Sequence, residues 1–249
     1  MPRSSAPSDA IRIGTAGWSI PRAVADRFPA EGSGLERYAA RFPAAEINSS
    51  FYRPHRRATY ERWAASVPAG FRFAVKLPKA ITHERRLVAC ADLLDRFADE
   101  TAGLAEKRGP ILVQLPPSFA FAANLAEAFF PELQRIVGGP IALEPRHASW
   151  FTTEVDRLLA RLTVARVAAD PARHPGAGEP GGHDGLAYFR LHGSPHVYRS
   201  PYDPPAIDAQ AEAVMALAAG GRAVWTIYDN TTSGAAIANA LDLVRRLET

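Results

Sequence analysis

The sequence predicts an α/β protein whose strands and helices form a (β/α)₈ TIM-like barrel. Eight short apolar segments alternate with helical patterns, and the whole chain has 249 residues. Alternation of this kind favours parallel βαβ units, and eight such units in about 250 residues match the size of a closed barrel. A doubly wound open sheet is the alternative, but the segment GTAGWS in the first strand lacks the spacing of a dinucleotide-binding site.

Each predicted strand is a short apolar run, and a helical pattern follows every strand except the sixth. The strands are IRIGTAGW (11–18), AAEINSSFY (44–52), FRFAVKLP (71–78), PILVQLPP (110–117), PIALEPRHASW (140–150), TVARVAAD (163–170), LAYFRLHG (186–193) and RAVWTIYDN (222–230). Helical periodicity is clearest over 88–107, where apolar residues recur at spacings of three and four. Residues 171–184 are rich in Pro, Gly and His, which predicts an irregular loop in place of the sixth helix.

Composition and charge limit the class of protein. Hydrophobic residues make up 47% of the chain and charged residues 22%, as in globular proteins. Residues 1–10 are polar and rich in Pro and Ser, so we expect a disordered lead before one domain over 11–249. No apolar run has the length of a membrane span or a secretory signal, which predicts a cytoplasmic protein with no membrane partner. The net charge of +3 fits a small anionic ligand and is too weak to argue for nucleic acid, although it leaves that partner open.

Polar side chains recur at the carboxyl ends of the predicted strands. Residues two apart on a strand share a face, and barrel enzymes place their active sites at this end. Glu46 and Asn48 share one face of strand two, and Arg190 with Glu144 is a possible core ion pair, so a purely structural interpretation stays open. The candidate catalytic residues are His192, Glu144 and Lys76, and the candidate substrate-binding residues are Asn48, Tyr52, Gln114, Arg146, His147, Asp170, Arg190, Tyr228 and Asn230.

The candidate catalytic residues suggest acid–base chemistry on an anion. His192 titrates near neutrality, and Glu144 can orient it or share its proton. Burial and neighbouring arginines would lower the pKa of Lys76, which would make it a base or a nucleophile. Lys76 can equally serve as a charge partner of Glu144 or of a ligand anion. Arginine forks such as those of Arg146 and Arg190 match carboxylate and phosphate oxygens.

Two loops predict an anion-binding segment beside these residues. Gly193 and Ser194 follow strand seven, and Thr231, Thr232 and Ser233 precede the last helix. Small and hydroxyl residues at a helix N-terminus leave backbone N–H groups for an anion, and barrels often bind phosphate between these loops. The simpler interpretation is that Thr232 or Ser233 only caps the helix.

A metal site is possible from the sequence but unsupported, and no cofactor is predicted. Glu144, Asp170 and His192 could meet to form a mixed carboxylate–imidazole set. No local ligand pattern such as HExxH occurs, and the excess of positive side chains would repel a cation. His83 lies in a loop that could reach the site. Three further histidines in loops, His174, His183 and His196, are expected to be solvated.

Six short segments in order resemble the YecE-like family, also called the domain of unknown function 72 family. They are INSSFYR, FAVKLPKAITH, LVQLPPSF, LEPRHASW, YFRLHG and YDNT, and the resemblance runs from about residue 11 to the last helix. It implies a TIM-barrel-like fold and no particular reaction. It also implies that the family's signature positions correspond to Asn48, Phe51, Tyr52, Lys76, Gln114, Glu144, Arg146, Arg190, His192 and Asn230.

These observations leave three hypotheses on function. The first is an enzyme that acts on a small anionic compound, for example a phosphorylated or carboxylated sugar derivative, by acid–base chemistry. The second is a metal-dependent phosphodiesterase or nucleic-acid-processing barrel. The third is a non-catalytic module that binds an anion. The fold alone cannot choose between them.

Overall fold

The chain forms a mixed α/β fold, seen in a computed structural model that describes residues 10–248. The disordered lead predicted over 1–10 therefore lies, apart from Ala10, outside the described residues. In chain order the strands are β1 (Ile11–Thr15), β2 (Ala44–Ile47), β3 (Arg72–Lys76), β4 (Arg108–Gln114), β5 (Ile141–Glu144), β6 (Val164–Arg166), β7 (Ala168–Asp170), β8 (Gly181–Gly182), β9 (Leu186–Leu191) and β10 (Ala223–Tyr228).

Eight α-helices of the described chain lie between or after these strands. They are α1 (Gly34–Ala39), α2 (Ser49–Tyr52), α3 (Arg57–Ala65), α4 (Ala91–Thr101), α5 (Ala123–Ile136), α6 (Thr153–Arg161), α7 (Pro204–Ala219) and α8 (Ala235–Leu247). Shorter helical turns occur at Arg22–Arg27, Ala80–Glu84, Ala102–Lys107 and Ala148–Trp150. No helix within residues 10–248 is both long enough and apolar enough to cross a membrane.

Hydrogen bonding divides the strands into two sheets. One sheet has the order β1-β10-β9-β7 and the other the order β2-β3-β4-β5-β6-β8. All neighbouring strands are parallel except β6 and β8. A single bridge, Ala16 with Glu46, joins β1 to β2. The α/β class is confirmed, whereas the ladder of hydrogen bonds is not one closed ring of eight strands.

The sixth strand–helix unit causes the largest departure from the predicted pattern. The predicted sixth strand is interrupted at Val167, so that β6 pairs with β5 while β7 pairs with β9. Residues 171–185 contain β8 and turns but no helix, as their composition predicts. The break in the strand is the point at which the two sheets part.

The inner faces of the two sheets pack against each other. Their contact contains Ala44, Ala74, Leu112, Ala142, Ala165, Val167, Leu186, Tyr188, Trp225 and Ile227. The rings of Tyr188 and Trp225 stack with centroids 6.0 Å apart. At Gly14, a Cβ would lie 2.1 Å from the carbonyl oxygen of Ala44, so the approach of β1 to β2 requires glycine.

This packing determines which polar groups face the interior. Side chains alternate along each strand, so residues two positions beyond the apolar layer face the same way. The inward-facing residues at the carboxyl ends are Glu46, Lys76, Gln114, Glu144, Arg190, His192 and Asp229, all buried. The two sheets thus bring seven polar side chains to one end of the interior.

Candidate active site

Arg190 is the centre of a buried ion-pair network at the carboxyl end of β9. Its Nε and Nη2 donate to the two carboxylate oxygens of Glu46 at 3.1 and 2.7 Å. Its Nη1 donates to Glu144 at 2.7 Å and its Nη2 to Asp229 at 2.9 Å. The Tyr188 hydroxyl adds a 2.8 Å bond to Glu46. Arg190 thereby ties residues of both sheets together, and the burial of every partner makes these bonds strong but costly to break.

His192 lies between two carboxylates of the same network. Its Nε2 is 2.9 Å from Glu144 and its Nδ1 is 3.1 Å from Asp229. Both ring nitrogens must carry protons if both are to donate, which favours the imidazolium. Burial lowers the pKa of His192, but the charge of Glu144 and the bonds to Asp229 and Glu144 outweigh it and raise the pKa above 6.5. His192 is therefore held as an imidazolium whose two N–H groups both donate to carboxylates.

Glu144 is saturated with hydrogen-bond donors. In addition to Arg190 and His192, it accepts from Gln114 at 2.8 Å and from Arg146 at 3.3 Å. Burial alone would raise the pKa of Glu144, but the positive charges of Arg190 and His192 outweigh it and hold the pKa well below 4.5. A carboxylate in this state is a weak base, and its main effect is to orient His192.

Lys76 is the exception among these charged groups. Its ammonium donates no hydrogen bond and forms no ion pair within residues 10–248, and Nζ lies 4.2 Å from the centroid of the Phe51 ring. Burial, followed by the charge of Arg190, lowers the pKa of Lys76 from 10.5 to about 8. About 7% of the residue remains accessible. Lys76 is thus a buried amine that exchanges its proton near neutral pH.

A cleft of about 410 Å³, its open rim included, lies beside the network. Its lining includes Glu144, Arg146, Phe151, Arg173, His174 and His192. Arg146 also donates to the Tyr198 hydroxyl at 3.4 Å, and the Tyr198 ring meets His192 edge-on at 5.5 Å. The Arg173 side chain has no hydrogen-bond or ion-pair partner in the described part of the chain. Positive and imidazole groups therefore line a cleft whose one carboxylate is already neutralised.

The β2 end of the site contains the predicted residues Asn48 and Tyr52. Asn48 is half-buried, and its Oδ1 is shielded from solvent without a partner among residues 10–248. Tyr52 is 73% exposed and packs edge-on against Phe51. The His83 ring packs edge-on against Phe51 with the ring centroids 5.0 Å apart, so His83 does reach this end of the sheets. Burial and the charge of Lys76 lower the pKa of His83.

Three predicted substrate-binding residues point away from the interior. Asp170 accepts from the Tyr202 hydroxyl at 2.6 Å. The Tyr228 ring packs against Tyr202, and its hydroxyl is buried with no partner in the described chain. Asn230 donates to Asn239 of α8 at 3.0 Å. The prediction was wrong about their direction because Trp225, Ile227 and Asp229 set the inward face of β10, and Ala165 and Val167 set that of the sixth unit.

The predicted anion-binding segment is occupied by protein contacts. The amide of Gly193 donates to the Tyr202 hydroxyl, and the amide of Thr232 donates to the carbonyl of Tyr198. Ser233 donates its hydroxyl to the carbonyl of Arg199, and the amide of Gly234 donates to Thr231. Gly193 and Thr232 thus have no free amide for an anion. The segment, which also contains Ser194, instead joins the loop after β9 to the start of α8.

Two further predictions need correction. His147 accepts from the amide of Ser149 at 3.2 Å and caps the turn Ala148–Trp150, which is a structural role. His174, predicted to be solvated, is half-buried, and its Nε2 lies 3.2 Å from the carbonyl oxygen of Arg146. The ring of His174 packs on Phe151 at 5.6 Å, which brings the irregular loop into the cleft.

The possible metal set does not converge. Glu144 and His192 meet, but Asp170 faces Tyr202 on the outer side of β7. Over residues 10–248, no group of three or more His, Cys, Asp or Glu side chains has an arrangement that could hold a metal ion. A metal-dependent reaction at these three residues has no geometric support.

Two network residues, Glu46 and Asp229, are absent from the predicted site. Glu46 shares a face with Asn48 in the predicted second strand, and Asp229 lies between Tyr228 and Asn230, on the opposite face of the predicted eighth strand. A count of buried positive and negative side chains would have indicated that further carboxylates belong to the site. A buried Arg190 beside His192 and Lys76 needs more than the single carboxylate of Glu144, and buried charges are normally paired.

Comparison with known proteins finds a matching family model and relatives of this chain. The model of the family described as "Protein of unknown function DUF72" matches residues 12–249. The UPF0759 protein YecE of Escherichia coli (strain K12) is 33% identical over 109 residues, which are 44% of this chain and 39% of that protein. The match therefore spans well under half the length of this relative. The resemblance inferred from the six sequence segments is confirmed.

Two solved structures have a similar fold. A DUF72 family protein from Enterococcus faecalis V583 superposes with a TM-score of 0.81 at 22% identity, covering 96% of each chain. A DUF72 family protein from Thermotoga maritima MSB8 gives a TM-score of 0.80 at 24% identity, covering 96% of this chain and 99% of that one. At this level of identity, the similarity concerns the fold alone.

Proposed function

Because the chain belongs to the DUF72 family, for which no function is described, we propose a function from the site: an enzyme that binds a small anionic compound at the carboxyl ends of the strands and exchanges protons with it. One observation carries this proposal. Arg146, Arg173, His174 and His192 line the cleft, while Glu144, the only carboxylate among its lining residues in the described chain, is fully engaged. An incoming carboxylate or phosphate would meet more positive groups than Glu144 neutralises, and Arg173 has no partner in the described part of the chain.

We also infer that the two sheets surround one interior in the manner of a (β/α)₈ barrel. The bridge between Ala16 and Glu46 joins their first strands, and Arg190 of one sheet bonds Glu46 and Glu144 of the other. The apolar layer below these charges contains side chains from both sheets. In such a barrel, the carboxyl ends of the strands are the usual position of an active site.

Lys76 and His192 are the proton-exchanging groups in this proposal. Lys76 loses its proton at about pH 8, so a neutral amine is available as a base under ordinary conditions. His192 is held as an imidazolium and would be the corresponding acid, with the substrate replacing Glu144 or Asp229 as the acceptor of one N–H group. Glu144 and Asp229 position His192 and do not themselves transfer the proton. A base and an acid on one inner surface support proton abstraction at one atom and protonation at another.

Substrate contacts would come from groups that have unused hydrogen-bonding capacity. Asn48 has a shielded Oδ1 without a partner, which is costly until a donor arrives. A hydroxyl group of the substrate would satisfy it, as in a sugar derivative. Arg146 and Arg173 would bind the anionic end, while Tyr52 and Gln114 would border the remainder.

Thermal-shift measurements test the binding step. We expect stabilisation by sugar phosphates or small carboxylates, and loss of that stabilisation in Arg146→Met. Arg135→Met, on the exposed surface of α5, is the matched control and should keep it. Stabilisation by no anion, or equal stabilisation in Arg146→Met, would contradict the proposal.

A non-catalytic anion-binding module is the second candidate, because Glu144 and His192 are each held in one charged form by the network. A Lys76 variant distinguishes the two functions. In an enzyme, Lys76→Met abolishes turnover of a bound compound. In a binding module no turnover is found for any compound that stabilises the protein.

A further inference from the structure

We propose that Lys76 forms an imine with the carbonyl carbon of its substrate, so that the substrate class is a small aldehyde or ketone that also has a carboxylate or phosphate group. This inference rests on the proposed function of the same site. It adds a covalent step and narrows the compounds to those with a carbonyl group. Lys76, Phe51, Arg146 and His192 carry the argument.

The use of lysine in the chain is the first support. The sequence contains only three lysines, at positions 76, 79 and 107, against 26 arginines. Where the site needs a permanent positive charge, it has Arg146, Arg173 and Arg190. A guanidinium would serve equally well for charge at position 76, but only a lysine amine can lose its proton and attack a carbonyl carbon.

The surroundings of the three amines differ in the way that this role requires. Lys79 is exposed and pairs with Glu84 at 3.2 Å. Lys107 donates to the carbonyl oxygens of Ala64 and Val67, each at 2.7 Å. In contrast, Lys76 has no acceptor in the described chain. Its lone pair, once the proton has left, is therefore not engaged by the protein.

The carboxylates near Lys76 are bonded to other cations and form no ion pair with its ammonium. Glu46, Glu144 and Asp229 all act on its charge, but each is bonded to Arg190, and the latter two also to His192. The Phe51 ring borders the amine at 4.2 Å. Burial and the charge of Arg190 disfavour the ammonium, while these carboxylates and the Phe51 ring act in the opposite direction and leave the pKa of Lys76 at about 8.

The chemical step balances without any oxidant or reductant. The lone pair of Nζ attacks the carbonyl carbon, the C–N bond forms, and the π electrons move to oxygen, which takes the proton that Nζ then releases. A second proton is added to the hydroxyl of this carbinolamine, the C–O bond breaks with its electron pair on oxygen, water leaves, and the Nζ lone pair forms the C=N bond of a protonated imine. His192, which lines the cleft, would supply this second proton once the hydroxyl oxygen replaces Glu144 or Asp229 as the acceptor of one of its two ring N–H groups.

Borohydride trapping tests the imine directly. The whole protein is incubated at pH 8 with pyruvate or, separately, with dihydroxyacetone phosphate, reduced with sodium borohydride, digested and analysed by mass spectrometry. We expect a secondary-amine adduct on Lys76, at least about tenfold more abundant than on Lys79, with one or both compounds. Acetone, which lacks the anionic group, should give a much weaker adduct. The two anionic compounds distinguish carboxylate from phosphate recognition.

Variants separate this inference from the proposed function. Lys76→Arg keeps the positive charge and should retain the thermal shift with anions while losing the adduct, whereas Lys79→Arg should retain both. A thermal shift with no adduct, or equal adducts on all three lysines, would overturn the imine and leave anion binding intact. Absence of both the thermal shift and the adduct would overturn both proposals.

Discussion

Arg190 and Lys76 are two buried cations on the same inner surface, and they differ in every contact. Arg190 makes four hydrogen bonds to three carboxylates, whereas the Lys76 ammonium makes none within residues 10–248. Burial opposes both charges. For Arg190 the carboxylates outweigh burial, and for Lys76 they do not.

The difference indicates a division of roles. Arg190 holds the two sheets and three carboxylates in one geometry, so its charge serves the structure. Lys76 has no structural bond to lose, and its charge costs the fold free energy. A protein tolerates such a group when it serves a ligand or a reaction, which is why unfavourable buried charges are indicators of functional sites.

Replacement of Arg190 should have the largest effect. Arg190→Met leaves Glu46, Glu144 and Asp229 without their main partner, and breaking a buried ion pair in this way costs about 3–5 kcal/mol. Urea unfolding measures the loss. Arg245→Met removes an exposed pair with Asp242 on α8 and should cost less than about 1 kcal/mol. Equal losses in the two variants would mean that the network does not stabilise the fold.

Replacement of Lys76 should stabilise the fold, whereas replacement of Arg190 should destabilise it. Because its pKa falls from 10.5 to about 8, protonated Lys76 destabilises the fold by about 3 kcal/mol at neutral pH. Lys76→Met keeps the packing on Phe51 and should raise the free energy of unfolding by about 1–3 kcal/mol while abolishing the proposed activity. The gain should shrink as pH rises from 8 to 10.5, since the native amine is then neutral. A destabilised Lys76→Met at pH 7 would contradict this account.

The pH dependence of the free energy of unfolding should show that His192, like Arg190 and unlike Lys76, stabilises the fold by its positive charge. Its pKa is raised in the native state, so its contribution is complete below about 6.5 and is lost as pH rises through the native value. Glu144 and Asp229 have lowered pKa values, so their contributions are complete above about 4.5 and are lost on acidification. His192→Gln should cost about 1.5–3 kcal/mol at pH 6 and progressively less at higher pH. A cost that is constant with pH would rule out the imidazolium.

The smallest effect is expected on the outer side of β10. The Tyr228 hydroxyl is buried without a partner in the described chain, so Tyr228→Phe should leave stability unchanged or raise it by up to about 1 kcal/mol. Thermal shifts with anions should be the same as for the unmodified chain, because the side chain faces Tyr202 and not the cleft. Loss of the ligand-induced thermal shift in this variant would mean that Tyr228 does contact the ligand.

The sequence predicts the α/β class, the order of strands and helices, and the inner positions of Lys76, Gln114, Glu144, Arg190 and His192. These follow from alternation, since on β3, β4, β5 and β9 the residue two positions before the polar one at the carboxyl end is Ala74, Leu112, Ala142 or Tyr188, which belongs to the buried layer. Strand β10 gives no such signal: Val224, Thr226 and Tyr228 could be buried as readily as Trp225 and Ile227.

The network itself could not be predicted from alternation. It depends on which residue of β10 faces Arg190 across the interior, and on a break in the sixth strand that leaves Asp170 on the outer side. The loop over 171–184 has no periodicity, so the contribution of Arg173 and His174 to the cleft was equally hidden.

A titration of the lysine amines tests the central claim most directly. With three lysines in the chain, selective isotope labelling should give three NMR signals, and the one lost in Lys76→Arg identifies position 76. We predict a midpoint at about pH 8 for that signal, moved by an added anion that stabilises the protein. A midpoint that stays near 10.5, the ordinary lysine value, with or without an anion, would contradict the account.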